Sequence, residues 1–151
     1  MSQELKFGSF NPEVEYRHRA GAYAVIFDEQ GRFASVKAGK GFFLPGGGIE
    51  AGESLEETLI REVREECAHK IIVGRFLGSA LQYHSESNGS RHWEFHCSYF
   101  VAEFGARLDS QPEHELFWLE LSEADRLKFD IHRWAINQVS AATVRKRLEI
   151  Q

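Results

Sequence analysis

From Ala20 to Phe27 the chain is an unbroken run of small and apolar residues opened by Arg19, the pattern of a strand buried on both faces. Asp28-Glu29-Gln30-Gly31 reads as a turn into a second strand, Arg32–Lys37. Phe42–Leu44 is a short strand stopped by Pro45 and three glycines. The period then changes. Leu55, Leu59, Ile60, Val63 and Cys67 fall on one stripe of a helix, and Ser54 with Glu57 forms a capping box that starts it. Two longer strands are predicted near Ile71–His84 and Arg91–Phe104 around the polar loop 85–90, and a shorter one at Glu115–Leu119. A short helix is expected at Ser122–Leu127, with Ser122 and Asp125 at its start, and Asp130 caps a last helix reaching about Leu148. Strands, helix, strands, helix predict an α/β fold: a mixed sheet flanked by helices.

No linker, repeat or low-complexity segment divides residues 1–151, so a single domain is expected. Hydrophobic content of 42% and charged content of 27% are ordinary for a globular protein. A formal charge of −5 with no basic stripe argues against general nucleic-acid binding. There is no apolar run of about 18 residues to span a membrane and no basic-then-apolar leader at Met1–Phe10, which points to a cytoplasmic protein. Cys67 and Cys97 stand alone and are expected to be buried, reduced thiols.

Charge is concentrated in one place. Between Glu50 and Glu66 lie seven glutamates and two arginines, as much net negative charge as the whole chain carries. Each like-charged i,i+4 pair on a helix costs about 0.2–0.5 kcal/mol, so the excess calls for a cation. Glu62, Glu65 and Glu66 lie within an arc of about 100° of the helix. Glu66 falls inside the edge of the apolar stripe, between Leu55 and Leu59, where a carboxylate is costly unless it binds a cation or a strong donor. A cluster of hard oxygen ligands selects Mg²⁺, with Mn²⁺ as a substitute.

Gly47, Glu53, Arg61, Glu62, Val63, Glu65 and Glu66 stand in the register Gly-x5-Glu-x7-Arg-Glu-U-x-Glu-Glu, where U is bulky and apolar. The chain thereby resembles the Nudix hydrolases. The resemblance implies an α/β/α sandwich and metal-dependent cleavage of a nucleoside diphosphate linked to another group. It implies that Glu62, Glu65 and Glu66 ligate metal together with the carbonyl of Gly46. It also implies that Arg61 reaches back to Glu53 to hold the glycine loop, in which Gly47 lets the backbone approach the diphosphate. Two positions depart from the signature: Ala68 stands for a glycine and His69 for an aliphatic residue. Ala68 either takes a left-handed cap at a cost of about 1 kcal/mol or lets the helix run on toward Lys70.

The resemblance places the base that deprotonates the attacking water either within the motif, at Glu53 or a metal-ligand glutamate, or in a later loop, where Glu113 and Glu115 are the candidates. Arg19 is a candidate phosphate contact, and Lys37 and Lys40 flank the same expected cleft. Tyr83, Trp93 and Phe95 are candidates to stack on a base, although Trp93, Phe95, Cys97 and Tyr99 alternate as a core face does. His92, Glu94 and His96 resemble a metal row, but His92 and His96 stand about 13 Å apart on a strand and cannot hold one ion together. His132 and Trp134 read as packing residues. The expected partner is a nucleotide-like small molecule. The alternative reading is a catalytically silent Nudix-like binding or regulatory module, which loss of acids from the Arg61–Glu66 core would mark, and none is lost. The identity of the diphosphate compound and the oligomeric state are open, a homodimer being one option.

Overall fold

The apolar run becomes strand β2 (Arg17–Val25), which lies against β7 (His92–Arg107) in parallel, from Arg17 beside Trp93 to Val25 beside Val101. This is a computed structural model, and it describes residues 4–139. β7 pairs antiparallel with β6 (His69–Ser85), whose register slips between His69 and Gly78. A two-residue strand β1 (Lys6–Phe7) adds to the far edge, and β5 (Gly46–Gly48) pairs antiparallel with β2, giving the sheet order β1-β6-β7-β2-β5. A second sheet, all antiparallel, has the order β4-β3-β8, with β3 at Phe33–Ala38, β4 at Gly41–Phe43 and β8 at Glu115–Leu119. The β layer expected as one mixed sheet is therefore two sheets, of which the five-stranded one is mixed.

Strand alternation sorts the core into two halves. Ala22, Ala24 and Ile26 of β2 and its extension meet Phe100 and Ala102 of β7 and the apolar stripe Leu59, Val63 and Cys67 of helix α1 (Leu55–Cys67). Small residues on the sheet let the helix approach closely, and Leu59 and Val63 are fully buried. Each such side chain contributes about 1.5–3 kcal/mol. The opposite-facing residues Val25, Cys97 and Tyr99 pack with Ile131, Ala135 and Ile136 of helix α2, described over residues 130–139. The result is the expected α/β/α arrangement. Among the described residues no helix is long and apolar enough to cross a membrane.

α1 starts as its sequence predicts. Glu57 N–H donates to Ser54 Oγ, and Ser54 N–H donates to Glu57 Oε1, both at 3.1 Å. Its end settles the two options at Ala68, which takes the left-handed conformation (φ 55°, ψ 43°) and donates its N–H to Arg64 O at 3.0 Å. The helix does not run on toward Lys70, because β6 already begins at His69.

Two other helix starts differ from expectation. The short helix is a 3-10 turn at Leu121–Arg126, and its start is fixed by Glu123, whose carboxylate accepts from Glu120 N–H at 3.0 Å, not by Ser122 or Asp125. Asp130 is already inside α2 and pairs with Arg133; a negative side chain in a first turn suits the helix dipole without capping it. The predicted stretch of that helix beyond 139 lies outside the described residues. Both cysteines are buried and free, and burial pushes each thiol up to about 12, so neither is reactive at neutral pH. Trp134 packs on Phe7 and Tyr99, and buried His132 takes a 2.8 Å hydrogen bond with Tyr99 Oη.

Candidate active site

β5 is the floor of the site, and its glycines are required there. Ala24 N–H donates to Pro45 O at 2.8 Å and Ile49 N–H donates to Ala20 O at 2.9 Å, which fixes the loop against β2. Gly46, between these ladder positions, turns its polar groups away from β2, and its N–H donates to Glu66 Oε1 at 2.8 Å. Its φ is 143°, and a Cβ there would come within 2.7 Å of Tyr23 Cα. A Cβ on Gly47 would come within 2.5 Å of Glu62 Cδ. The glycines thus let the backbone lie directly on two carboxylates.

The three glutamates of α1 differ in environment. Glu66 is only 8% exposed, and burial, reinforced by Glu62, Glu113 and Glu65, pushes its carboxyl up to about 8 against the opposing pull of the Gly46 N–H. Glu62 is partly buried, and burial raises its pKa although Arg61 lowers it. Glu65 is exposed, so of the three acids that share the arc only Glu62 and Glu66 border the core.

Arg61 is the hub of the acids. It grips Glu53 with two hydrogen bonds, Nε to Oε2 at 2.7 Å and an Nη to Oε1 at 3.0 Å. It also donates to Gly48 O at 2.9 Å, to Glu62 Oε1 at 3.0 Å and to Glu65 Oε2 at 3.3 Å. The fork geometry of a guanidinium permits such multiple pairing. Glu53 accepts further from Thr58 Oγ1 at 3.0 Å and Glu50 N–H at 2.9 Å. The Arg61 hydrogen bonds hold its carboxyl down at about 2.

The segment 112–115 is tied to the end of α1. Glu113 N–H donates to Glu65 O at 3.0 Å and His114 N–H to Glu66 O at 3.2 Å. Glu113 is exposed yet close enough to raise the pKa of both Glu62 and Glu66. Glu115 is exposed on β8 opposite Lys37 of β3.

Other candidates divide. The Arg19 guanidinium lies over the glycine loop, within 2.6 Å of where a Gly48 Cβ would be. Lys37 lies over the Phe42 ring at 6.0 Å, and Lys40 lines a recess with Gly41, Arg126, Lys128 and Arg133 that contains none of the glutamates of α1. Tyr83 is on the wrong face: its partner on β7 is Glu94 while Arg19's is Phe95, and adjacent strand residues point oppositely. It packs instead with Phe10 and Tyr16. Trp93 and Phe95 stack on each other at 5.7 Å, and Phe95 joins the core around α2.

One feature escaped sequence reasoning. Tyr23, Val36, Ala38, Phe43 and Leu44 line a cavity of about 200 Å³ that reaches Gly46 and Glu66. Tyr23 shares a strand face with Arg19, which is a local signal, but Phe43 is brought in by the second sheet.

Residues 17–140 match the family pattern of the NUDIX domain. A Caenorhabditis elegans protein described as a nudix hydrolase is 30% identical over 102 residues, 62% of this chain and 26% of its own length. The chain thus spans about a quarter of that relative. A MutT protein from Methanosarcina mazei Go1 superposes with a TM-score of 0.66 at 22% identity, covering 87% of this chain and 99% of that one. A solved UDP-X diphosphatase gives 0.63 at 18% identity, covering 87% and 68% respectively. Because the family match runs from β2 into α2 and takes in both sheets apart from β1, and not the acidic helix alone, this chain belongs to the NUDIX family.

Proposed function

We propose that this chain is a Mg²⁺-dependent hydrolase that cleaves a diphosphate linkage in a nucleoside diphosphate derivative, with residues 1–151 acting as one domain. The observation that carries this reading is the Glu66 carboxylate, buried under the glycine loop beside Glu62 and Glu113. A carboxylate so desolvated fits a hard divalent ion, because the ion offsets the cost that burial imposes. Glu62, Glu65, Glu66 and the Gly46 carbonyl would hold Mg²⁺, or Mn²⁺ in its place. Bound there, the ion supplies positive charge against the diphosphate oxygens and acidifies water.

The chain's own groups do the rest. Arg61 and Glu53 lock the glycine loop to α1, and with it the spacing of Gly46 from Glu66. Glu53 is a poor base: at about 2 its carboxyl has little affinity for a proton, and both its oxygens are engaged. Glu113 is exposed beside the acids and takes the proton from the attacking water. The water oxygen bonds to phosphorus as the bond from phosphorus to the bridging oxygen breaks. Arg19, over the glycine loop, contacts a phosphate, and the cavity at Tyr23 and Phe43 takes an apolar or aromatic part of the substrate. The likeness to a UDP-X diphosphatase is compatible with a nucleotide substrate of this kind.

The test is a panel of nucleoside diphosphate derivatives with Mg²⁺ in ¹⁸O water. A nucleoside monophosphate is expected among the products, with label on one of the two phosphates formed. Release of terminal orthophosphate alone across the panel overturns the proposal.

A further inference from the structure

We propose that His18, Glu94 and His96 form a second metal site, for a transition ion of the Zn²⁺ type, separate from the acidic helix. The parallel pairing of β2 with β7 sets His18 beside Glu94 and Ala20 beside His96. His18 therefore joins Glu94 and His96 on one face of the five-stranded sheet. His92, two residues before Glu94 at the start of β7, is engaged elsewhere, with its Nδ1 2.7 Å from Ser85 Oγ. The separation that rules out His92 with His96 does not apply to this set, since its third member comes from the neighbouring strand.

The donor atoms are already assembled. Glu94 turns Oε2 to His18 Nδ1 at 2.8 Å and Oε1 to His96 Nε2 at 3.7 Å, and one ligand atom from each residue falls within 4.8 Å of the others. Tetrahedral Zn²⁺ with bonds of about 2.0–2.1 Å needs donors about 3.3 Å apart. The remaining gap is closed by small rotations of side chains that are not packed in the core: His18 is 67% exposed and His96 41%. Two imidazoles and a carboxylate suit Zn²⁺, whereas Mg²⁺ prefers oxygen alone. Three protein ligands leave a fourth position for water or an added anion.

A second observation points the same way. With Nε2 turned to the site, the Nδ1 of His96 lies 3.9 Å from Glu4 Oε1. That is longer than a hydrogen bond; closed to hydrogen-bond distance on the far nitrogen of a metal-bound imidazole, the Glu4 carboxylate would fix its tautomer and raise its basicity. A surface ion pair between one histidine and Glu94 needs neither the second histidine nor Glu4. His18 and Arg19 are adjacent on β2 and point to opposite faces, so the three donors lie away from the Arg19 guanidinium.

The experiment is equilibrium dialysis of the full chain against Zn²⁺, with Mg²⁺ in large excess to occupy the acidic helix, and Co²⁺ as a spectroscopic probe. Stoichiometric Zn²⁺ binding is expected in the wild type and in Glu66→Gln. His18→Gln and His96→Gln should each weaken it by about 100-fold or more, and Glu4→Gln by about tenfold. Co²⁺ should give the visible absorption of a four-coordinate nitrogen and oxygen site, lost in His18→Gln. As His18 is exposed, its substitution does not threaten folding, which a thermal melt checks. Zn²⁺ binding unchanged by either histidine substitution, binding lost in Glu66→Gln, or no binding in the wild type overturns the proposal.

Discussion

The N–H of Gly46 donates to Oε1 of Glu66 at 2.8 Å, joining the glycine loop to the most buried acid of α1. One amide hydrogen bond does not offset the desolvation of a carboxylate, so Glu66 remains protonated until about pH 8. Glu53, between the glycine loop and the start of α1, is in the reverse condition, held ionised by the two-point grip of Arg61. The same motif thus contains one acid pulled down and one pushed up.

These opposite shifts give separate pH windows. A carboxyl with its folded pKa above the ordinary 4.5 binds more protons folded than unfolded, so stability falls as pH rises from about 4.5 to about 8. Glu53 works the other way: its contribution is complete above 4.5 and is lost as pH falls toward 2. In chelator, thermal melts of the wild type should lose stability between pH 5 and pH 8 by a few kcal/mol, on the order set by 1.36 kcal/mol per pKa unit, relative to Glu66→Gln. Equal slopes for the two proteins in that window would show that Glu66 is ionised in the fold.

Neighbouring glycines should fail differently. Gly46→Ala places a Cβ against the Tyr23 backbone at a φ of 143°, where nothing flexible yields, and should cost about 3 kcal/mol or more. Gly47→Ala meets only the carboxyl end of Glu62, which swings aside. It should leave stability within about 1 kcal/mol while lowering turnover by about tenfold or more. Denaturant unfolding and steady-state kinetics on both variants separate the two outcomes.

Ala68 invites replacement by glycine, but magnitudes argue against a gain. Relief of the left-handed conformation is worth about 1–2 kcal/mol. Against it stand a fully buried methyl group, about 0.8 kcal/mol, and the added freedom of glycine in the unfolded chain, about 0.4–1 kcal/mol. Ala68→Gly should therefore change stability by less than about 1 kcal/mol by denaturant unfolding. A stabilisation above that would mean the buried methyl contributes nothing.

The acidic helix is legible in the sequence because its determinants are local: Ser54 and Glu57 for the start, the stripe from Leu55 to Cys67 for the buried face. The pairing of Arg61 with Glu53 is two turns of one segment. β5 is hidden because three glycines carry no strand signal, and β1 because two residues carry no period. The burial of Glu66 and the exposure of Glu65 both follow from angular position on α1, Glu66 falling inside the apolar stripe and Glu65 at the outer end of the acidic arc. Tyr83 and His18 show the larger gap. Which face each occupies relative to Arg19 is set by β6 and β2 pairing on either side of β7, and the β2–β7 partners stand more than seventy positions apart, which periodicity does not encode.

Metal should reverse the cost of burying Glu66. A divalent ion binds the folded cluster and scarcely the unfolded chain, so at about 100 times its dissociation constant it adds about 2.7 kcal/mol of stability. For a domain of this size that is a rise in melting temperature of about 5–10 °C. At pH 8 and fixed ionic strength, Glu66→Gln should melt higher than the wild type in chelator, gain little from Mg²⁺ or Mn²⁺, and lose about 10³-fold or more in turnover. Glu65→Gln should behave differently in chelator. Relief of repulsion from its neighbours, about 0.2–0.5 kcal/mol, is cancelled by loss of its i,i+4 pair with Arg61, which is worth about the same. Its melting temperature should stay near that of the wild type without metal and fall short of it with metal. If the wild type shows no metal-dependent rise while turnover still requires Mg²⁺, the ion enters the site with the diphosphate and not before it.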